Sequence, residues 1–171
     1  IAIRFITYRS DAVHYHANFA LYIDGQRDEF KSFTFYEEVQ SCGSDEKNNP
    51  KTRVHMHDQV NHVVHVHEPG VTWGHFFANL NYTLGDSLIE TDEGTFVDGE
   101  SGRELTFTLN GQDVTNIANE HINSEDVLLI NYAIKADHKE PVSSALFQTG
   151  RRACLLRREI VTGSAHDSAA L

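Results

Sequence analysis

The pattern that decides the fold lies in residues 53–67, which read Arg-Val-His-Met-His-Asp-Gln-Val-Asn-His-Val-Val-His-Val-His. Histidine and apolar residues alternate in two short segments, and a polar stretch separates them. An alternation with a period of two is typical of a β-strand that has one apolar and one polar face. The stretch therefore predicts a β-hairpin whose turn begins at Asp58.

The register of this hairpin decides where its four alternating histidines point. With a four-residue loop, His57 faces His62, and the second pair of histidines points to the opposite side from the first. With a five-residue loop that ends at His62, His55 faces His65 and all four share one face. The four are His55, His57, His65 and His67, and the other face then holds Val54, Met56, Val64 and Val66. We prefer the second register because it separates polar from apolar side chains better.

Histidine is unusually frequent in this chain, with 11 among 171 residues, and three His-x-His pairs occur. In a strand, residues i and i+2 point to the same side, so each pair presents two imidazoles together. Pairs on neighbouring strands bring four imidazoles within reach of one another, and imidazole is a ligand for copper and zinc. The pattern predicts a transition metal site with copper or zinc as cofactor. Its candidate ligands are His55, His57, His65 and His67, with His14 and His16 as further candidates if their strand neighbours the hairpin.

Other polar residues near the hairpin have less specific roles. Asp58 and Glu68 flank it, and each can be a ligand, an orienter of an imidazole, a general base beside a metal-bound water, or a simple rim carboxylate. His62 is expected in the loop, and His75 on the solvent side of a helix. The remaining three, His121, His138 and His166, are expected on the surface.

The rest of the chain predicts strands around one helix. Residues 12–23 alternate as a strand and meet the hairpin turn Asp24-Gly25, after which a return strand is expected over 27–33 and a helical turn over 35–39. Thr72 is placed to cap a helix that continues to Leu80. Its apolar face consists of Trp73, Phe76, Phe77 and Leu80.

The fold class follows from the order of these elements. Leu105 begins an alternating strand that ends in the turn Asn110-Gly111, and residues 127–130 form an apolar run typical of a central strand. We predict an α+β fold with a mixed or antiparallel sheet and one main helix packed on it. Residues 105–132 resemble the closing half of a β-grasp domain, as in ubiquitin-like proteins. The resemblance rests on the strand into Asn110-Gly111-Gln112, on Ile117 and Ile122, and on the turn 123–126.

Length and charge limit the classes of function. The 171 residues suit one domain, which is expected over 12–133. An N-terminal extension over 1–11 is expected to precede it and to follow a lost signal or anchor. A tail over 134–171, with a basic helix near 151–161, is expected to follow it. A formal net charge of -11 argues against a nucleic-acid partner. Cys42 and Cys154 would form a disulfide in an exported protein or stay separate thiols in a cytosolic one.

Four segments, residues 10–20, 55–58, 64–67 and 71–80, resemble an uncharacterised family of exported, His-rich bacterial proteins. The resemblance covers roughly residues 8–132 and implies an extracytoplasmic domain behind a membrane anchor that precedes Ile1. It also implies a disulfide that involves Cys42. The family supplies no activity that can be carried over to this chain.

Three functions are compatible with these observations. The first is an extracytoplasmic protein that captures, buffers or delivers copper or zinc, with the metal ion as its partner and the membrane reached only through the anchor. The second is a metal-dependent enzyme in which three histidines leave one coordination position open. The third is a non-enzymatic interaction domain whose histidine face responds to pH. We prefer the first, a binding protein rather than an enzyme.

Overall fold

The computed structural model describes residues 13–37 and 49–134. Within these ranges the chain has an α+β fold with one α-helix, a mixed sheet and a small antiparallel sheet. The expected extension over 1–11, both cysteines and the expected basic helix at 151–161 lie outside the described residues, as does all of the tail from residue 135. No helix in the described part is long and apolar enough to cross a membrane.

Seven strands form the mixed sheet. They are β1 (Tyr15–Ile23), β2 (Gln26–Arg27), β3 (Val54–His55), β4 (Val63–Val66), β8 (Arg103–Leu109), β9 (Gln112–Asp113) and β10 (Val127–Ile134). Their order across the sheet is β3-β4-β1-β10-β8-β9, and β2 pairs with the end of β1. The small sheet, which the sequence did not predict, contains β5 (Thr83–Leu84), β6 (Leu88–Glu90) and β7 (Thr95–Val97).

The centre of the mixed sheet is the parallel pair β1 and β10, in which Phe19 lies beside Leu128. The expected central strand at 127–130 is confirmed by this pairing. β1 lies between β4 and β10, and its middle is buried on both faces. Asn18 and Ala20 on one face are 2% and 1% exposed, and Phe19 on the other is fully buried. The side chains of β1 alternate between the two faces of the sheet, and on both faces they are buried over residues 17–21.

The helix α1 (Trp73–Asn79) begins where the sequence predicted, with Thr72 as its N-cap and a reciprocal capping box between Thr72 and His75. Its predicted apolar face is buried in the main core, with Trp73, Phe76 and Phe77 at 0% exposure. Gly74 allows the helix to approach the 3-10 turn Ile117–Asn119, since a Cβ atom there would lie 2.6 Å from the carbonyl oxygen of Ala118.

The hairpin β3–β4 has the register that the sequence favoured. His55 pairs with His65 and Val54 with Val66. The turn passes through Asp58 and Gln59, which both have φ of 55°. The opposite face is the apolar one, with Val54, Met56, Val64 and Val66 all at 0% exposure in the core. The prediction that Met56 belongs to the core is confirmed.

Two expectations for residues 27–39 were wrong in detail. The return strand ends at Arg27, because Asp28 accepts a hydrogen bond from the backbone N–H of Phe30 and turns the chain. Phe30 then adopts a left-handed φ of 44° and inserts into the core at 1% exposure. A 3-10 turn, which Ser32 caps, lies at Phe33–Phe35 in place of the helical turn expected over 35–39, and residues 38 and 39 lie outside the described residues.

Candidate metal centre

Three neighbouring strands bring three His-x-His pairs onto one face of the sheet. His55 of β3 pairs with His65 of β4, and His65 pairs on its other side with His16 of β1. Residues two positions away point to the same side of a strand, which adds the second histidine of each pair. The condition that the sequence left open, that the strand of His14 and His16 neighbours the hairpin, is met by the pairing of β1 with β4.

Three of these imidazoles form a group that could hold a metal ion. One ring nitrogen from each of His14, His16 and His65 lies within 4.8 Å of the others. The Nε2 atom of His14 is 3.2 Å from Nε2 of His16 and 3.5 Å from Nδ1 of His65. Bonds of 2.0–2.1 Å to a tetrahedral zinc ion place neighbouring ligand nitrogens about 3.3 Å apart. The two separations from His14 are close to this value, and the third lies within 4.8 Å.

His57 extends the group by one imidazole and has a carboxylate behind it. Its Nε2 atom lies 3.0 Å from Nδ1 of His65, and its Nδ1 atom lies 2.8 Å from a carboxylate oxygen of Asp58. A carboxylate accepts the proton of Nδ1 and leaves Nε2 as the free donor atom for a metal, which is the usual support for a ligating histidine. His57 is thus oriented by Asp58 toward the three-histidine group.

His55 and His67 lie on the same face but outside that group. Their rings are stacked with centroids 5.0 Å apart, and the ring of His67 also stacks on His14 at 4.7 Å. His55 is 3% exposed, and its Nδ1 atom donates to the backbone carbonyl of Lys51 at 2.7 Å. The Nε2 atoms of His55, His65 and His67 are all buried and have no hydrogen-bond partner.

Burial keeps several of these imidazoles neutral. It lowers the pKa of His67 to about 4, with nearby His55 contributing in the same direction. Burial also lowers the pKa of His65, His55 and His14. Only a neutral imidazole has a free electron pair for a metal ion, so the environment favours the protonation state that binds metal.

The structure also places the residues to which the sequence gave weaker roles. Asp58 contacts His57, whereas Glu68 forms an ion pair with Arg53 at 2.7 Å. His75 is exposed, as expected, and accepts a hydrogen bond from the backbone of Thr72. His121 is also exposed, in agreement with its expected surface position.

Two residues near the site were not identified from the sequence. Asn18 follows His16 on the same face of β1, is 2% exposed, and neither its amide nitrogen nor its oxygen has a partner. Lys51 supplies the carbonyl that fixes His55. The sequence could have indicated Asn18, because it is a polar residue within an alternating strand. It could not indicate Lys51, because the contact is made by the backbone carbonyl and does not depend on the side chain.

Comparison of the chain with protein-family models, with curated proteins and with solved structures gives no match.

Proposed function

We propose that this protein binds a copper or zinc ion through His14, His16 and His65, with His57 as the fourth ligand. The observation that carries the proposal is the group of three ring nitrogens within 4.8 Å of one another. The Nε2 atom of His57, whose ring Asp58 holds, lies 3.0 Å from Nδ1 of His65. A set made only of imidazoles suits copper and zinc, which are borderline ions that prefer nitrogen ligands to carbonyl oxygens.

The contacts of the nearby carboxylates favour binding over catalysis. A metal-dependent hydrolase needs a base beside the water on its metal ion. Asp58 is engaged with His57 and Glu68 with Arg53, so both candidate bases have other partners. We infer that capture, buffering or delivery of the ion is the function, rather than chemistry on a substrate.

The lowered pKa values favour metal binding over a pH-sensing surface. A sensor of mildly acidic pH needs histidines that become charged between about pH 5 and 7. Burial lowers the pKa of His67 to about 4 and also lowers that of His65, so these two remain neutral through that range.

We place the protein outside the cytoplasm, attached to the membrane by a segment before Ile1. The resemblance to exported His-rich proteins supports this location. The ligand set supports it as well, because imidazoles, unlike thiolates, are not consumed by disulfide formation in an oxidising compartment.

For the fold, we propose a β-grasp arrangement. In such a domain a first hairpin, a helix and later strands are arranged so that the last strand lies parallel to the first at the centre of the sheet. The order β4-β1-β10-β8, the parallel pairing of β1 with β10 and the position of α1 between β4 and β8 in the chain support this proposal.

The test is the metal content of untagged protein, followed by titration with Zn²⁺ and Cu²⁺ against a competing chelator. We expect tight binding by the wild type, loss of that ion in His14→Ala/His16→Ala, and no change in His121→Ala, whose histidine is exposed and outside the cluster. Equal, weak binding by all three proteins would refute the proposal.

A further inference from the structure

Among the buried ring nitrogens of the histidine face, two belong to histidines that the proposed site does not use. They are the Nε2 atoms of His55 and His67, and neither has a hydrogen-bond partner. A buried polar atom without a partner costs about 1–3 kcal/mol. Such atoms are uncommon in folded proteins and call for a specific explanation.

The side chain of His55 is fixed in the form that binds a metal ion. The carbonyl oxygen of Lys51 can only accept a hydrogen bond, so the proton of neutral His55 must lie on Nδ1, 2.7 Å away. Its Nε2 atom then carries a free electron pair. The same arrangement of ring and backbone carbonyl orients many metal-binding histidines.

His67 lies beside His55 with its ring nearly parallel. The two planes make an angle of 14°, and their centroids are 5.0 Å apart. The negative charge of Glu37 acts on His55, whereas Glu68 at the rim is already paired with Arg53 at 2.7 Å. The carboxylate of Glu37 favours a cation at this place.

We propose that the histidine face holds a second transition metal ion, bound by Nε2 of His55 and Nε2 of His67 with water completing its coordination. This inference builds on the proposed function but uses ligands that the first site does not need. The protein would then carry two ions on one sheet face. The first site has three or four imidazoles and the second has two, so the second ion is held more weakly.

The experiment is a Zn²⁺ titration of the full chain, with bound zinc counted at equilibrium by dialysis so that a weakly held ion is included. The key variant is His55→Asn/His67→Phe. Asparagine can still donate to the carbonyl of Lys51, and phenylalanine keeps the ring stack, yet neither offers the missing ring nitrogen. The matched variant for the first site is His14→Ala/His16→Ala, and the single His55→Asn variant serves if the double one does not fold. The near-UV circular dichroism of Trp73, which is fully buried in the core, reports folding in each case.

We expect two zinc ions per chain in the wild type and one tightly bound ion in His55→Asn/His67→Phe. One zinc ion in the wild type, with unchanged binding in this variant, would overturn the second site and leave the proposed function intact. Full binding by His14→Ala/His16→Ala would instead overturn the first site. The two failures are therefore distinguishable, because each affects a different variant.

Discussion

Asp58→Asn is the substitution that best tests how His57 is held in the proposed metal site. The carboxylate of Asp58 lies 2.8 Å from Nδ1 of His57, whose Nε2 atom is 3.0 Å from His65. A carboxylate at this position can only accept the Nδ1 proton, which leaves Nε2 free. Asparagine can either accept or donate, so it no longer fixes which nitrogen of His57 carries the proton. It also tolerates the left-handed φ of 55° at this position, so the backbone of the turn is kept.

The size of the expected loss in metal affinity depends on how exposed the Asp58 carboxylate is. Removal of such an orienting group typically costs about 10–100-fold in metal affinity, which is about 1.4–2.7 kcal/mol. The side chain of Asp58 is 45% exposed, whereas that of His57 is 11% exposed. Water screens the charge of a half-exposed group, and we therefore expect the lower end of the range, about a tenfold loss.

The assay is competition for Zn²⁺ against a chromophoric chelator, for the wild type, Asp58→Asn and Asp86→Asn. Asp86 is exposed in the turn between β5 and β6, so its variant makes the same change in charge outside the histidine face. ¹⁵N chemical shifts of the His57 ring would report the change of tautomer directly. If Asp58→Asn binds zinc as tightly as the wild type and its His57 tautomer is unchanged, Asp58 is only a turn carboxylate. The proposed role of Asp58 in orienting His57 is then refuted.

Three further predictions concern stability. The pKa of His14, His55, His65 and His67 is lower in the folded chain than the usual 6.5, so the unfolded chain takes up protons first. The metal-free protein should therefore lose stability as pH falls from 6.5 toward 4, by up to about 1.4 kcal/mol per pH unit for each of His55, His65 and His67 and by less for the exposed His14. Urea unfolding at several pH values measures this. Gly74→Ala should destabilise the fold by about 1–3 kcal/mol in the same assay, because the new methyl group meets the backbone of Ala118; an unchanged midpoint would contradict the packing. Free Zn²⁺ at a hundred times its dissociation constant should add about 2.7 kcal/mol, seen as a higher melting temperature that His14→Ala/His16→Ala lacks.

Local patterns in the sequence were sufficient to predict the hairpin and the helix. The hairpin register followed from one requirement, that Val54 and its apolar neighbours share a face. The helix start followed from Thr72 and the spacing of Trp73 from Phe76 and Phe77. In both cases the deciding contacts lie within about 15 residues of one another, where periodicity and capping are informative.

Which histidines come together in the candidate metal centre depends on a long-range strand pairing that local sequence patterns do not reveal. His16 and His65 are 49 positions apart, and their pairing requires β1 to lie between β4 and β10. The sequence therefore favours the hairpin histidines as the main candidate ligands and gives His14 and His16 only as further candidates. In the structure, His14 and His16 belong to the compact group, whereas His55 and His67 lie outside it. The parallel pairing of β1 with β10 could not be predicted from local patterns either, because most of the domain separates the two strands in the sequence.

The histidine face is costly for a protein that never binds a cation. Three buried ring nitrogens lack partners there, and an apolar side chain at His55, His65 or His67 would remove that cost in the metal-free state. The opposite face of the same two strands is packed with valine and methionine, so the strands do not depend on histidine for their pairing or their core. When residues that oppose local stability converge on one place, the expected reason is a function that needs them. The Nε2 atoms of His55 and His67 would gain their missing contacts from a metal ion, and this gain would offset the cost of placing those two imidazoles there.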